Sequence, residues 1–156
     1  MSFETVLITG GNRGIGLELV QQVLTTTHAK HVIATTRQSS HPELDQLRDK
    51  HPNRLHVLQL EGTNYNSFPQ FVKQVEAIVG DQGLNTLINN AGIALRDGLD
   101  SVTAEDMLKN FEVNSVAPLM LTKVLLPLLK VCVNYYIFNI TNIFIISLKE
   151  LMFKLF

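Results

Sequence analysis

Cysteine is nearly missing from this chain: Cys132 is the one thiol among 156 residues. An internal disulfide framework is thereby excluded, and a reducing, cytoplasmic setting fits. Charge of one sign is missing too, with 13 Lys+Arg against 14 Asp+Glu and a formal net charge of −1. That balance excludes a polybasic surface for nucleic acid or for an anionic membrane. The opening MSFETVLITG has no basic stretch ahead of an apolar core and no cleavage-like pattern. It reads as the start of a buried strand rather than a signal peptide. Internal repeats and low-complexity linkers are absent. The five histidines do not fall at ligand spacings; His28 and His31 are three apart near a helix end, with no matching partner, so no metal site is expected. The last absence is local. From about Val131 the chain runs VCVNYYIFNITNIFIISLKELMFKLF, without Gly or Pro and without the strand–helix rhythm that precedes it.

What is present is one domain's worth of ordinary globular sequence, 46% hydrophobic and 17% charged. Thr5–Thr9 is a short apolar run expected as a buried strand. Gly14–Thr26 comes next with Ile15, Leu17, Leu19, Val20, Val23 and Leu24 at helical spacing. Strands are expected at His31–Thr36, Arg54–Leu60 and the stretch LNTLINN. A short charged helix over Pro42–His51 and a longer one over Asn64–Val79 separate them. Thr103 can cap the next helix, with Asp106 three residues on, and that helix is expected to run to about Pro118 and resume toward Lys130. The alternation β-α-β-α-β-α-β-α predicts an α/β fold, a doubly wound parallel sheet in the order 3-2-1-4. The carboxyl ends of strands one and four then flank the crevice where a ligand binds.

Two strand ends carry the chemistry. The first is TGGNRGIG, Thr9 to Gly16, whose Gly10, Gly14 and Gly16 are spaced 4 then 2. Backbone N–H groups there, with the positive end of the helix dipole, favour a phosphate. Three glycines also occur in plain strand-to-helix turns, but placement after an N-terminal strand in a βαβ unit favours nucleotide binding. The second strand ends ATTRQSS. Thr35 and Thr36 stand where an NAD site puts an acid on the ribose, and Arg37 is next. Arg13 lies inside the glycine loop. Together the two guanidiniums suit a 2′-phosphate, hence NADP(H) over NAD(H); the alternative is two solvated surface arginines. The fourth strand ends NNAG, Asn89 to Gly92. Its small residues allow close approach of a ligand, and its Asn side chains can tie neighbouring loops.

These motifs, with the Asn of FEVNSVAP, resemble the short-chain dehydrogenase/reductase family. TVLITGGNRGIGLELV, HPNRLHVLQL, TNYNSF and GLNTLINNAGI are closest to its sniffer-like carbonyl reductase and C-factor-like branch. The resemblance covers about Phe3 to Lys130. It implies a Rossmann fold, NADPH, and hydride transfer to a small-molecule carbonyl. By it, Gly10, Gly14 and Gly16 match the phosphate loop, Asn12, Arg13 and Ile15 line the cofactor, and Arg37 meets the 2′-phosphate. Asn90, Ala91 and Gly92 match the adenosine-side wall, and Val113 packs near the cofactor. Asn114 matches the catalytic asparagine that helps position a water in the proton relay; a helix-kink role near Pro118 is the alternative. Glu61 stands where the branch has an Asp near the adenine amino group, one methylene longer but still an acceptor.

The family's reaction also needs Tyr-x-x-x-Lys, whose lysine lowers the tyrosine pKa from about 10. Four residues beyond Tyr65, Tyr135 and Tyr136 come Pro69, Asn139 and Ile140, so the motif does not occur. The expectation is a Rossmann domain over 1–130, a truncated form of the family with impaired catalysis, and then an atypical tail over 131–156. The tail has three readings. Tyr136–Thr141 can substitute for a fifth strand, with Thr141 or Asn142 near the family's serine. Val131–Leu148 can be a membrane anchor, though it is short and interrupted by Asn134, Asn139 and Asn142. Or the tail comes after an alternative or mispredicted exon end and has no selected structure, which suits its abrupt composition best. The sequon Asn139-Ile140-Thr141 has no consequence in a cytosolic chain. Against the reductase stand two other functional readings: a non-catalytic NADP-binding or interaction module, dimerising through 103–130, and an unstable fragment of poor solubility.

Overall fold

The computed structural model describes residues 4–38, 41–94 and 102–140. Five strands, β1 (Thr5–Ile8), β2 (His31–Thr36), β3 (Leu55–Gln59), β4 (Thr86–Asn89) and β5 (Tyr136–Asn139), form one parallel sheet in the order β3-β2-β1-β4-β5. Helices α1 (Gly14–Thr26), α2 (Pro42–Lys50), α3 (Phe68–Val79), α4 (Ala104–Phe111) and α5 (Ala117–Leu129) fill the crossovers.

Strand periodicity decides which side chain serves which layer. Val6, Ile8, Val32, Ala34 and Ile88 point to one face and meet Val20 and Leu24 of α1 and Leu44 of α2. Leu7, Ile33 and Leu87 alternate to the other face. There they meet Phe71, Val75 and Val79 of α3 and Leu121, Leu125 and Leu128 of α5. The spacings 71-75-79 and 121-125-128 are the helical stripe that such a face requires. Burying each of these Val or Leu side chains contributes roughly 1.5–3 kcal/mol, and Leu7 and Leu87 are fully buried in the layer they form with α3 and α5.

Local signals set the ends. Thr103 caps α4: its Oγ1 accepts the Asp106 N–H at 3.1 Å and the Asp106 carboxylate accepts the Thr103 N–H at 3.1 Å, a reciprocal capping box. Pro42 occupies the first turn of α2, where its missing N–H costs nothing. The helix over Asn64–Val79 begins instead as a 3₁₀ turn, Tyr65–Ser67, ahead of α3.

One expectation is corrected. Pro118 does not divide the helix; α4 runs into α5 through a π turn, Glu112–Val116, that precedes it. A proline ring presses on the carbonyl four residues earlier, here that of Asn114, and a widened turn relieves the crowding. Of the three readings of the tail, the substitute fifth strand over Tyr136–Thr141 is the one that the described residues match. Tyr136–Asn139 lies parallel to β4, with Tyr136 N–H to Asn85 O at 2.8 Å and Ile140 N–H to Asn89 O at 2.9 Å. The open edge of β4 accounts for this: unpaired N–H and C=O groups recruit the nearest extended segment. Residues 131–140 of the Val131–Leu148 segment hold β5 and no helix. Thr141, Asn142 and the remainder of that segment lie outside the described residues. Among the described residues one helix, Ala104–Leu129, is long and apolar enough to cross a membrane. Its α5 part packs on the sheet through Leu121, Leu125, Leu128 and Leu129, as a core helix does.

Candidate functional site

The carboxyl ends of β1, β2 and β4 open into a crevice of about 380 Å³, within the range of small-molecule sites. Gly10, Arg13, Gly14, Ile15, Gly16, Arg37, Glu61, Asn90, Ala91, Gly92 and Val113 all line it.

The glycine turn divides its labour. Gly10 and Gly11 direct their N–H groups internally, to Thr35 Oγ1 at 3.3 Å and Thr35 O at 2.9 Å. Gly14 opens α1 at φ +53° with open space where a Cβ would stand. The start of α1 has no side-chain cap and no acid in its first turn, so its leading N–H groups face the crevice unsatisfied by the helix itself. Gly16 has a different task. A Cβ there would collide with the Gly10 carbonyl oxygen and stand 2.5 Å from Asn90 Nδ2. Its hydrogen lets α1 lie against the β1 turn.

Across the crevice the fittings are side-chain amides and a hydroxyl. Thr9 Oγ1 accepts the N–H groups of Asn90 and Ala91, each at 3.0 Å. Asn90 Nδ2 donates back to Thr9 O at 2.9 Å and Gly10 O at 3.2 Å, so Asn90 clips two strand ends together. Asn89, buried behind it, donates to Asn139 Oδ1 at 2.8 Å and Thr122 Oγ1 at 3.3 Å, tying β4 to β5 and α5. The Asn139 of the sequon is thus engaged inside the sheet.

Two residues named from the sequence do not line the crevice. Asn12 turns its amide to His41, Nδ2 to Nε2 at 3.1 Å, which joins the glycine loop to the start of α2 instead. Asn114 sits buried in the π turn and commits both ends of its amide to Ile93: Oδ1 accepts its N–H at 2.9 Å and Nδ2 donates to its carbonyl at 2.8 Å. Its side chain holds the loop after β4 against the helix. The structure adds wall residues that motif reading passed over, including Thr9, Leu60, Asn89, Ala117, Pro118 and Leu121. A signal existed for two of them: Ala117 and Leu121 continue from Val113 at every fourth residue, one helical stripe facing the glycine loop.

Arg13 and Arg37 stand exposed at the rim and make no ion pair among the described residues. Thr35 and Thr36, at the end of β2, are buried and neutral. The one acidic residue among the described lining of the crevice is Glu61. Of the tyrosines, Tyr65 has its phenol pushed above the ordinary value by burial and by Glu112, whose carboxylate lies 3.5 Å away. An activated proton donor needs the opposite shift.

A family profile described as short chain dehydrogenase matches residues 4–142. This chain belongs to the short-chain dehydrogenase family. Its relatives include an NADPH-dependent 3-dehydrocapnine reductase of Ornithobacterium rhinotracheale, 31% identical over 79% of this chain and 42% of that protein. Among solved structures, the carbonyl reductase Sniffer of D. melanogaster is 38% identical with a TM-score of 0.78, over 83% of this chain and 53% of that one. A carbonyl reductase from chicken fatty liver with NADPH bound is 37% identical with a TM-score of 0.81, over 89% and 59%. The chain thus spans about half the length of the family members it matches.

Proposed function

We propose that the crevice binds NADPH and that the chain is the cofactor-holding half of a carbonyl reductase-type oxidoreductase. The observation that carries this is the pairing of an uncapped α1 start with two exposed arginines, Arg13 and Arg37, that make no ion pair among the described residues. The fit is chemical at each point. The leading N–H groups of α1 suit the pyrophosphate. Arg13 and Arg37 suit the 2′-phosphate, and the buried threonines at the end of β2 leave no carboxylate to repel it. Glu61 can accept from the adenine amino group, while Ala91, Gly92 and Val113 supply walls. Bound NADPH supplies a hydride for a small-molecule carbonyl.

In this reading the residues of this sequence bind and orient the cofactor. No Tyr-x-x-x-Lys occurs in the sequence, and a lost general acid costs roughly 10²–10⁴-fold in rate. Asn114, whose side chain is bonded to Ile93, is assigned the family's role of helping to position a water in the proton relay. The single cysteine and balanced charge suit a cytoplasmic setting without nucleic-acid or membrane partners. The test is calorimetric titration with NADPH and NADH, with assay of carbonyl turnover alongside. Tighter binding of NADPH that weakens in Arg13→Ala and Arg37→Ala, with little turnover, is expected. Equal affinity for the two cofactors would sink the assignment.

A second reading, an NADP-binding interaction module, draws on the exposed apolar side chains of the long helix: Met107, Leu108, Phe111 and Leu119. A second copy of the chain is the occupant this reading assigns to them. Sedimentation analysis that returns a monomer at every concentration would remove it.

A further inference from the structure

At the opposite, amino-terminal end of the sheet, His31 opens β2 and His56 lies second in neighbouring β3. His31 shares its face with Ile33, whose register partner on β3 is His56, so both rings leave the same side of the ladder. His31 Nδ1 and His56 Nε2 are 3.1 Å apart, with ring planes inclined at 45°.

We propose that His31 and His56 form a two-histidine chelate for a late first-row divalent cation such as Zn²⁺. Imidazole nitrogens bind such ions at about 2.0–2.1 Å, so two cis ligands stand roughly 2.9 Å apart at a right angle and roughly 3.3 Å apart at a tetrahedral one. The observed separation lies between the two. Without a metal, the same distance holds one N–H···N hydrogen bond. With it, each ring turns slightly so that both lone pairs meet the ion instead of each other.

Three further features suit the site. The nitrogens are borne by paired strands, and the β2–β3 ladder holds its register over five residue pairs, Val32↔Leu55 to Thr36↔Gln59. Such a bite is set before the ion arrives, which lowers the cost of binding. Both residues are half-buried, so solvent can reach the pair and water can complete the coordination shell. Sequence spacing alone could not reveal this pair, because 25 residues separate its members. The site lies about 16 Å from the crevice, the length of β2 at strand rise. It is independent of the cofactor reading.

The test is titration of the full chain with Zn²⁺ at neutral pH, read by calorimetry and by thermal melting. One ion per chain and a raised Tm are expected. His31→Asn and His56→Asn should each weaken binding by roughly 10-fold or more, while His28→Asn and Cys132→Ser leave it unchanged. Histidine ring NMR of the wild-type chain serves should a variant fail to fold: Zn²⁺ should move the two imidazoles of His31 and His56 and no others. An absence of stoichiometric binding overturns the proposal, as does binding that persists in both asparagine variants or shifts other rings.

Discussion

The two walls of the crevice are built on opposite principles. The β1–α1 side is made close by leaving side chains out: Gly16 has no room for a Cβ, and Gly14 turns where a side chain would strain. The β4–α5 side is held by side chains put in: Asn90 and Asn114 clamp backbone N–H and C=O groups of other loops, and Thr9 of the β1 turn accepts the Asn90 N–H from across. The difference teaches how one crevice meets two demands. A phosphate needs bare backbone N–H groups, and glycine provides access to them. A flat wall needs two loops fixed relative to each other, and a primary amide, donor and acceptor at once, fixes them at two points.

Substitutions sharpen this contrast. The largest effect is expected at Gly16. Helix propensity alone would make Gly16→Ala stabilising by about 1 kcal/mol. The collision with the Gly10 carbonyl reverses the sign, and a loss of about 2–3 kcal/mol with collapse of NADPH binding is expected. Gly14→Ala is the control: nothing stands near its Cβ, so only the left-handed φ of +53° is strained, at a cost of about 1 kcal/mol. Chemical denaturation of both variants gives the comparison, and a Gly16→Ala protein as stable as the wild type would mean that the glycine wall is not tight.

Next in size is the amide wall. Asn114→Leu keeps the branched outline, though with bulkier methyl ends, and strips two hydrogen bonds from Ile93, a loss of about 1–3 kcal/mol because the backbone groups remain. Cofactor affinity should fall further than stability, since the loop after β4 lines the crevice. If affinity is unchanged while stability drops, the π turn serves packing only.

Farthest from both walls, Thr103→Ala removes the cap of α4 and should lower Tm by roughly 2–4 °C with no effect on NADPH. This variant also carries a pH signature. Asp106 is held below its ordinary 3.8, first by the Thr103 hydroxyl and then by the Thr103 N–H. A carboxyl with a depressed folded pKa adds stability that is present above the unfolded value and lost as pH falls through the folded one. Melting wild type and variant from about pH 6 down to about pH 2 should therefore bring the two curves together at the acid end.

Much of this protein is legible in residue order. Alternation of apolar runs with helical stripes determines four parallel strands and their crossovers, because a sheet with two covered faces needs that pattern. Gly10, Gly14 and Gly16 mark the turn, since few other residues tolerate it, and Thr103 with Asp106 marks a helix start through contacts three residues apart. What only the tertiary structure decided depends on distance. That the amides of NNAG can tie loops is legible, but not which ones: Thr9 and Gly10, some eighty positions earlier, receive the Asn90 amide. Asn12 carries the family's motif and yet turns to His41. Tyr136–Thr141 is one of three readings of the tail in sequence, and the edge of β4 makes Tyr136–Asn139 a strand by offering Asn85 and Asn89 carbonyls to Tyr136 and Ile140. Local propensity is written in order along the chain. A hydrogen bond between distant loops is not, because its partner is chosen by the fold.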